Sequence, residues 1–424
     1  MTSLTRVAVV GGARIPFCRS NTAYARLSNL DMLSDTLQRL VDKYDLGGRQ
    51  VDEVLAGAVT KHSRDWNLAR EAVQSTSLSP LTPATTLQMA CGTSLQAALL
   101  AAGRIASGQI DCAIAAGSDT TSDVPLVLRQ RFANRLMEMN RARGLKKKLG
   151  AFRGFRPGEL APQAPANAEP RTGLSMGEHC ERMAREWSVT RQQQDQLAME
   201  SHHNAAAAYD AGFFDDLVIP YQDVSRDNNV RPDSDMEKLG SLKPVFDRNI
   251  GTLTAGNSTP LTDGSAAVLL VSEAYAEKHD LPVQAWLTAG RTSAVDYVHD
   301  EGLLMAPTVA VAELLQRQSL TLQDFDFYEI HEAFAAQVLC TLKAWENADY
   351  CRNRLGLDEA LGAIERRKMN VRGGSLAFGH PFAATGARVL ANLGTLLERK
   401  GKGRGLLSVC TAGGMGVAAI LERE

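Results

Sequence analysis

Along the first 120 residues the apolar positions change period in a regular way. The run "RVAVVGG", residues 6–12, is continuous and short, the pattern of a buried strand. In "DMLSDTLQRLVDKY", residues 31–44, Met32, Leu33, Leu37, Leu40 and Val41 fall on one face of a helix. A turn "DLGGR" leads to the strand-like "VDEVLAGAV". An alanine-rich helix then opens at "QMACGTSLQAALLAAG", residues 88–103, ends near "ASGQID", and is followed by the fully apolar strand "CAIAAGSD". Strands alternating with helices predict an α/β fold, a sheet covered by helices on its faces.

The same order returns downstream. "VAVAELLQRQSLTLQDFDFYEIHEAF" repeats helix, acidic turn and strand, and "GHPFAATGARVLANLGTLLERKGKGRGLLSVCTAGG" repeats glycine-led helix, turn and apolar strand. A duplicated half is the economical explanation. If the halves pack about a pseudo-twofold axis, Cys91 and His380 occupy related helix N-termini and face one another. Residues 121–250 lack this rhythm and contain the exposed Pro/Ala stretch "RPGELAPQAPANAEPRTG". The expected division is therefore residues 1–120 with 251–276 as a first half, 121–250 as an inserted loop domain, and 277–424 as a second half.

Composition narrows the class. A formal net charge of -2 over 424 residues argues for neither nucleic acid nor a membrane as partner. The seven cysteines, Cys18, Cys91, Cys112, Cys180, Cys340, Cys351 and Cys410, are odd in number and form no CxxC pair. Free thiols in a reducing compartment follow, with no metal site. The opening "MTSLTRVAVVGGARIPF" enters a strand almost at once and no apolar stretch approaches a membrane span, so a cytoplasmic protein is expected. Residues 129–156 are rich in Lys and Arg with a single Glu. They read as a solvated helical face, or as a surface for a polyanion, an acidic membrane or a docking partner.

Candidate chemistry sits at the ends of the repeated strands. Cys91 is either a small buried residue or a nucleophile, and Gly, Thr and Ser at the helix start favour the second, since unpaired N–H groups there stabilise a thiolate. His380 lies in the glycine-rich turn "GGSLAFGHPFAATGA", with Pro381 suited to a first helical turn, and is either a packed residue or the base for that thiol. Cys410 in "LLSVCTAGGMGVAAIL" ends an apolar strand before a loop that can approach a ligand closely. His331 with Glu332 in "YEIHEAFAAQ" is a polar pair between apolar flanks, costly to bury unless hydrogen-bonded or functional.

Taken together, "GGARIPF", the Cys91 segment, "TAGNSTPLTDGSA", "HEAFA", "GGSLAFGHPFAATGAR" and "CTAGGMG" resemble the thiolases, specifically the 3-ketoacyl-CoA thiolases (acetyl-CoA acyltransferases), nearly end to end. The resemblance implies two βαβαβαββ halves stacked as five αβαβα layers with a loop domain over the site, in homodimers or homotetramers. It implies that Cys91 is acylated, that His380 deprotonates it, and that Cys410 is the second acid/base. Many thiolases have Asn where this chain has His331; the His variant resembles the β-subunit of fatty-acid oxidation multienzyme complexes. His331 then either orients a water or contacts the thioester oxygen.

The resemblance further implies an oxyanion hole from the backbone N–H groups of Cys91 and Ala412, the latter often Gly in the family. It places coenzyme A, a substrate with no tightly bound cofactor beside it, against Met176, Arg231, Thr259 and Phe334. The implied reaction is thiolysis of a 3-ketoacyl-CoA in fatty-acid β-oxidation. Alternatives are an acetoacetyl-CoA-forming biosynthetic thiolase and a non-catalytic acyl-CoA-binding scaffold, with the 129–156 stretch facing a hydratase/dehydrogenase partner or a membrane surface. A metal protein using His202 and His203 lacks ligand spacing.

Overall fold

In a computed structural model that describes residues 4–299 and 301–424, the two repeats become two half-sheets with one strand order. The strands are β1 (Val7–Arg14), β2 (Cys18–Arg19), β3 (Glu53–Gly57), β4 (Ala84–Thr86), β5 (Cys112–Asp119), β6 (Thr262–Ser272), β7 (Ala285–Ala294), β8 (Phe327–Ile330), β9 (Gly403–Thr411) and β10 (Met415–Arg423). Their spatial order is β4-β3-β5-β6-β1-β7-β10-β9-β8, with β2 paired to β6. In the first half β3 runs parallel to β4 and β5, and β6 runs antiparallel to β5 and β1. In the second, β8 is parallel to β9 and β10 is antiparallel to β9 and β7, while Met369 bridges Tyr328 in the place of β4. Order and direction both repeat, as duplication requires. The half-sheets meet at two residue pairs, Ala8↔Trp286 and Val9↔Ala285.

Every residue of β5 is buried, which is why it reads as a continuous apolar run rather than an alternation. Its side chains divide by parity. Ala113 and Ala115 join a central core with the helices Thr93–Ala106 and Thr385–Lys400, whereas Cys112, Ile114 and Ala116 join an outer core with Asn29–Lys43 and Leu68–Gln74. In the second half Leu407 and Val409 face the same central core, and Leu406, Ala418 and Ile420 face the helices Ala306–Gln318 and Ala335–Glu346. The layers are thus helix, sheet, helix, sheet, helix, the αβαβα thiolase arrangement expected from the resemblance.

The helix expected at 31–44 spans Asn29–Lys43 because Ser28 caps it, in a reciprocal box with Asp31. All five apolar residues predicted on its inner face are buried. In the central layer the two helices start side by side. Ser94 Oγ accepts the Ala387 N–H at 2.8 Å, and a Cβ at Gly386 would lie 2.3 Å from Leu95 N, so the close approach requires glycine.

Within 121–250, the helices Gln130–Arg141 and Leu145–Gly150 bury no residue. The later helices Met176–Glu186 and Arg191–Asp210 join the main cores, through Cys180, Met183 and Leu197 on one side and Ala205 and Tyr209 on the other. Among the described residues no helix is long and apolar enough to cross a membrane.

Candidate active site

Cys91 stands in a tight turn between β4 and the helix Thr93–Ala106. Ala90 before it has φ +43, left-handed backbone that a non-glycine residue adopts only where its surroundings impose it. The turn is held by Thr93, whose hydroxyl donates to Ala90 O at 2.7 Å and accepts the Met89 N–H at 2.9 Å. Gly92, not Cys91, occupies the N-cap.

His380 is placed by the second half. Gly379 before it has φ +94, and a Cβ there would meet Thr262 Oγ1 at 2.5 Å. Pro381 was expected in the first turn of the following helix; instead a short 3-10 turn, Phe382–Ala384, intervenes before Thr385–Lys400. That turn is pinned to the first half by Asp119 at the end of β5. Its carboxylate accepts N–H groups from Val59, Thr60 and Ala383 at 2.8–3.0 Å and the Thr60 hydroxyl at 2.7 Å. Burial pushes this carboxyl up to about 6 even against those bonds.

His331 follows β8, its N–H donating to Ser408 O at 2.8 Å. Its ring lies 4.2 Å from that of His380, centroid to centroid. Each imidazole spends Nδ1 on a hydroxyl, His380 on Thr385 Oγ1 at 2.6 Å and His331 on Ser375 Oγ at 2.8 Å. Each Nε2 is buried without a protein partner. Cys91 Sγ and one nitrogen of each ring lie within 4.8 Å of one another. With both Nδ1 atoms engaged, the nitrogens free to serve the thiol are the two Nε2. Cys410, 1% exposed near the end of β9, completes the group.

Electrostatics corrects one expectation. A helix start was expected to favour the Cys91 thiolate, but burial pushes this thiol up to about 12, against the lowering effect of N–H bonds from Ala412 and from Cys91 itself. Burial, then the neighbouring Arg388, lowers His380 to about 3, and burial holds His331 well below the usual imidazole range. Burial also raises Cys410 well above a free thiol, with Cys91 adding to the effect. All four shifts run the same way, toward uncharged thiols and uncharged imidazoles.

A pH signature follows. Below its pKa the thiolate fraction of Cys91 grows about tenfold per pH unit, so alkylation of Cys91 by iodoacetamide should rise steadily from about pH 6 to about pH 9. Intact mass over time measures it. A plateau near neutrality would reveal a preformed thiolate–imidazolium pair instead.

A cleft in two adjoining lobes of about 330 Å³ each, which share Arg19, Ala255, Ser258 and Pro260, includes Leu376, the neighbour of Ser375, in its first lobe. Arg231, with Lys238, lines the first lobe and Thr259 the second. The Thr259 N–H and hydroxyl both donate to Ala333 O, at 3.1 and 3.0 Å, tying the cleft to the loop after His331. Phe334 packs edge-on against Phe246, which lines the second lobe, and Met176 opens a helix that packs on the same core.

Comparison with known proteins agrees with this geometry. A family model described as thiolase, N-terminal domain, matches residues 7–274, and one described as thiolase, C-terminal domain, matches residues 283–423. The chain belongs to the thiolase family.

As a thiolase it is an acyltransferase. It is 40% identical to a 3-ketoacyl-CoA thiolase of Yersinia pestis over 99% of this chain and 97% of that one. The crystal structure of a Bacillus anthracis acetyl-CoA acetyltransferase superposes with TM-score 0.83 at 28% identity, covering 100% of both chains. That of human mitochondrial 3-ketoacyl-CoA thiolase superposes with TM-score 0.82 at 27% identity, covering 99% of both.

The thiolase site also contains residues that sequence reasoning passed over. Ser375, Thr385 and Arg388 stand inside the stretch quoted around His380, yet none was singled out. Glu169, in the Pro/Ala stretch, accepts the Gly413 N–H at 2.9 Å and the Tyr297 hydroxyl at 3.2 Å, and so reaches the loop after Cys410. Its only sequence signal is that it is one of two acids, with Glu159, among prolines and alanines. His202 and His203 do not converge: His202 Nδ1 accepts the Arg231 N–H at 3.2 Å, while His203 Nε2 contacts Ser234 O at 2.7 Å.

Proposed function

We propose that this thiolase cleaves a 3-ketoacyl-CoA with CoA, giving acetyl-CoA and an acyl-CoA shortened by two carbons, through acyl-Cys91. The observation that carries the reading is a cluster in which Cys91 Sγ and one nitrogen of each of two imidazoles lie within 4.8 Å, both Nε2 atoms are buried without a partner, and a second thiol is buried nearby. His380 Nε2 takes the Cys91 proton as Sγ attacks the 3-keto carbon. The N–H groups of Cys91 and Ala412, already directed at Sγ, suit the oxygen of the tetrahedral adduct. The C2–C3 bond then breaks, and the acetyl-CoA enolate takes its proton from Cys410, whose raised pKa keeps it protonated for that step. Cys410 next deprotonates incoming CoA, whose sulfur attacks the acyl group. Cys91 leaves and recovers its proton from His380.

The cleft suits coenzyme A. Arg19, Arg231 and Lys238 offer cations to phosphates, and the Thr259, Phe334 and Met176 side leads from the cleft toward the loop that carries His331. The proposal includes residues 121–250 as a loop domain covering the site. Seven free cysteines support a reducing, cytoplasmic setting. For the 129–156 stretch, exposed Met137, Leu145 and Leu149 beside its Lys and Arg residues favour a docking face for a partner subunit or an acidic membrane over a merely solvated helix.

The test is CoA-dependent thiolysis of 3-ketoacyl-CoAs from short to long chain, with intact-mass detection of the acyl-enzyme. Turnover with mass added at Cys91 is expected across several chain lengths. Activity confined to acetoacetyl-CoA would favour the biosynthetic direction, and CoA binding with neither turnover nor adduct would leave only a scaffold.

A further inference from the structure

His331 presents Nε2 to the Cys91 site, and whether that nitrogen carries a proton is decided by what holds Nδ1. Ser375 Oγ lies 2.8 Å from His331 Nδ1 and 2.7 Å from Arg388 Nη2. A guanidinium has donors only, so the Arg388 bond is donated to Ser375. The Ser375 hydroxyl has one proton of its own and is fully buried; among the described residues its one acceptor in hydrogen-bond reach is His331 Nδ1. Were Nδ1 protonated, two N–H donors would converge on this oxygen and its own O–H would be buried without an acceptor, an arrangement folded proteins avoid.

We infer that Arg388 and Ser375 hold His331 as its Nε2–H tautomer, so that this ring gives the Cys91 site a hydrogen-bond donor. Arg388 is itself held, with Glu329 Oε2 3.7 Å from Nη1 and the Phe378 ring 5.6 Å away. His380 needs the opposite tautomer. To take a proton at Nε2 it must keep Nδ1–H; unlike Ser375, Thr385 Oγ1, 2.6 Å from that nitrogen, receives no guanidinium N–H and is left to accept it. The facing rings are then unlike in function: one presents a lone pair to the thiol, the other an N–H to the oxygen on which negative charge develops. Arg388 and Ser375 reach no reacting atom and are positioning residues. The inference deepens the thiolysis reading and rests on it for the identity of that oxygen.

The test is a proton–nitrogen correlation spectrum of protein carrying isotope-labelled histidine, with His331→Asn identifying the signal. His331 is expected wholly as the Nε2–H form. Ser375→Ala should shift the ring toward Nδ1–H and lower kcat on the order of 10-fold or more at little-changed KM, part of the roughly 100-fold or greater loss seen when an oxyanion donor is removed outright. In the His331→Asn background, where a side-chain amide donates without a tautomer, Ser375→Ala should cost little further. A wild-type ring protonated at Nδ1, or a fall in kcat with the tautomer unmoved, overturns the inference. The wild-type spectrum decides it even if Ser375→Ala does not fold. It also decides it if no 3-ketoacyl-CoA is cleaved, a failure that would count against the functional reading alone.

Discussion

Cys91→Ala is expected to abolish thiolysis, with a loss on the order of 10⁵-fold or more, while the protein stays folded. The magnitude follows from what the sulfur does. In the proposed route it is the atom to which the acyl group is transferred, so without it His380 has no proton to take and the covalent route closes. The fold is spared because one buried atom is removed from a turn held by Thr93 and Gly92 through their own hydrogen bonds, a change worth about 1 kcal/mol. Thermal melting and a thiolysis assay on the same preparation measure both halves of the statement. Undiminished turnover, or an acyl adduct of normal mass in this variant, would remove Cys91 from its role.

Cys410→Ser separates the two chemical tasks. Thioester exchange between acetyl-CoA and Cys91 breaks no carbon–carbon bond and forms no enolate; it asks Cys410 only to protonate a departing CoA thiolate, a good leaving group without that help, so acetylation of Cys91 should persist at a reduced rate. Thiolysis of a 3-ketoacyl-CoA needs a proton for the leaving enolate and a base for CoA; a serine hydroxyl serves both less well than a thiol. Turnover should fall by roughly 10² to 10⁴-fold, the usual worth of a positioned acid/base. Intact mass after acetyl-CoA treatment, beside steady-state thiolysis, reads the separation. Full turnover in Cys410→Ser would assign the acid/base work to another group, and His331 would be the first to test.

Much of this site was legible in the chain. Cys91, His331 and Cys410 each close or follow a strand of the repeat, whereas His380 follows the short helix Ser375–Phe378 and is marked in the sequence by its glycine-rich turn. Strand β5 was read with the bounds it has, because an apolar run between a turn and a polar segment has sharp ends. The ionisation of Cys91 was not legible, since a local cue, the helix start, pointed one way while burial by residues far along the chain pushed the other. The supports escaped for the same reason. Asp119 acts on Ala383, 264 positions away, and Ser375 has meaning only once Arg388 and His331 are known to flank it. A serine at a helix start or an aspartate at a strand end looks the same whether it caps a turn or holds a loop of the site.

The clamp from Asp119 to Ala383 bears on when reactivity arises during synthesis. The thiol is made with the first half of the chain, and both imidazoles and Cys410 come only with the second. A nascent or half-folded molecule therefore carries Cys91 without its base. The complete cluster of Cys91 with both imidazoles thus exists only once the two halves of the duplicated fold have docked.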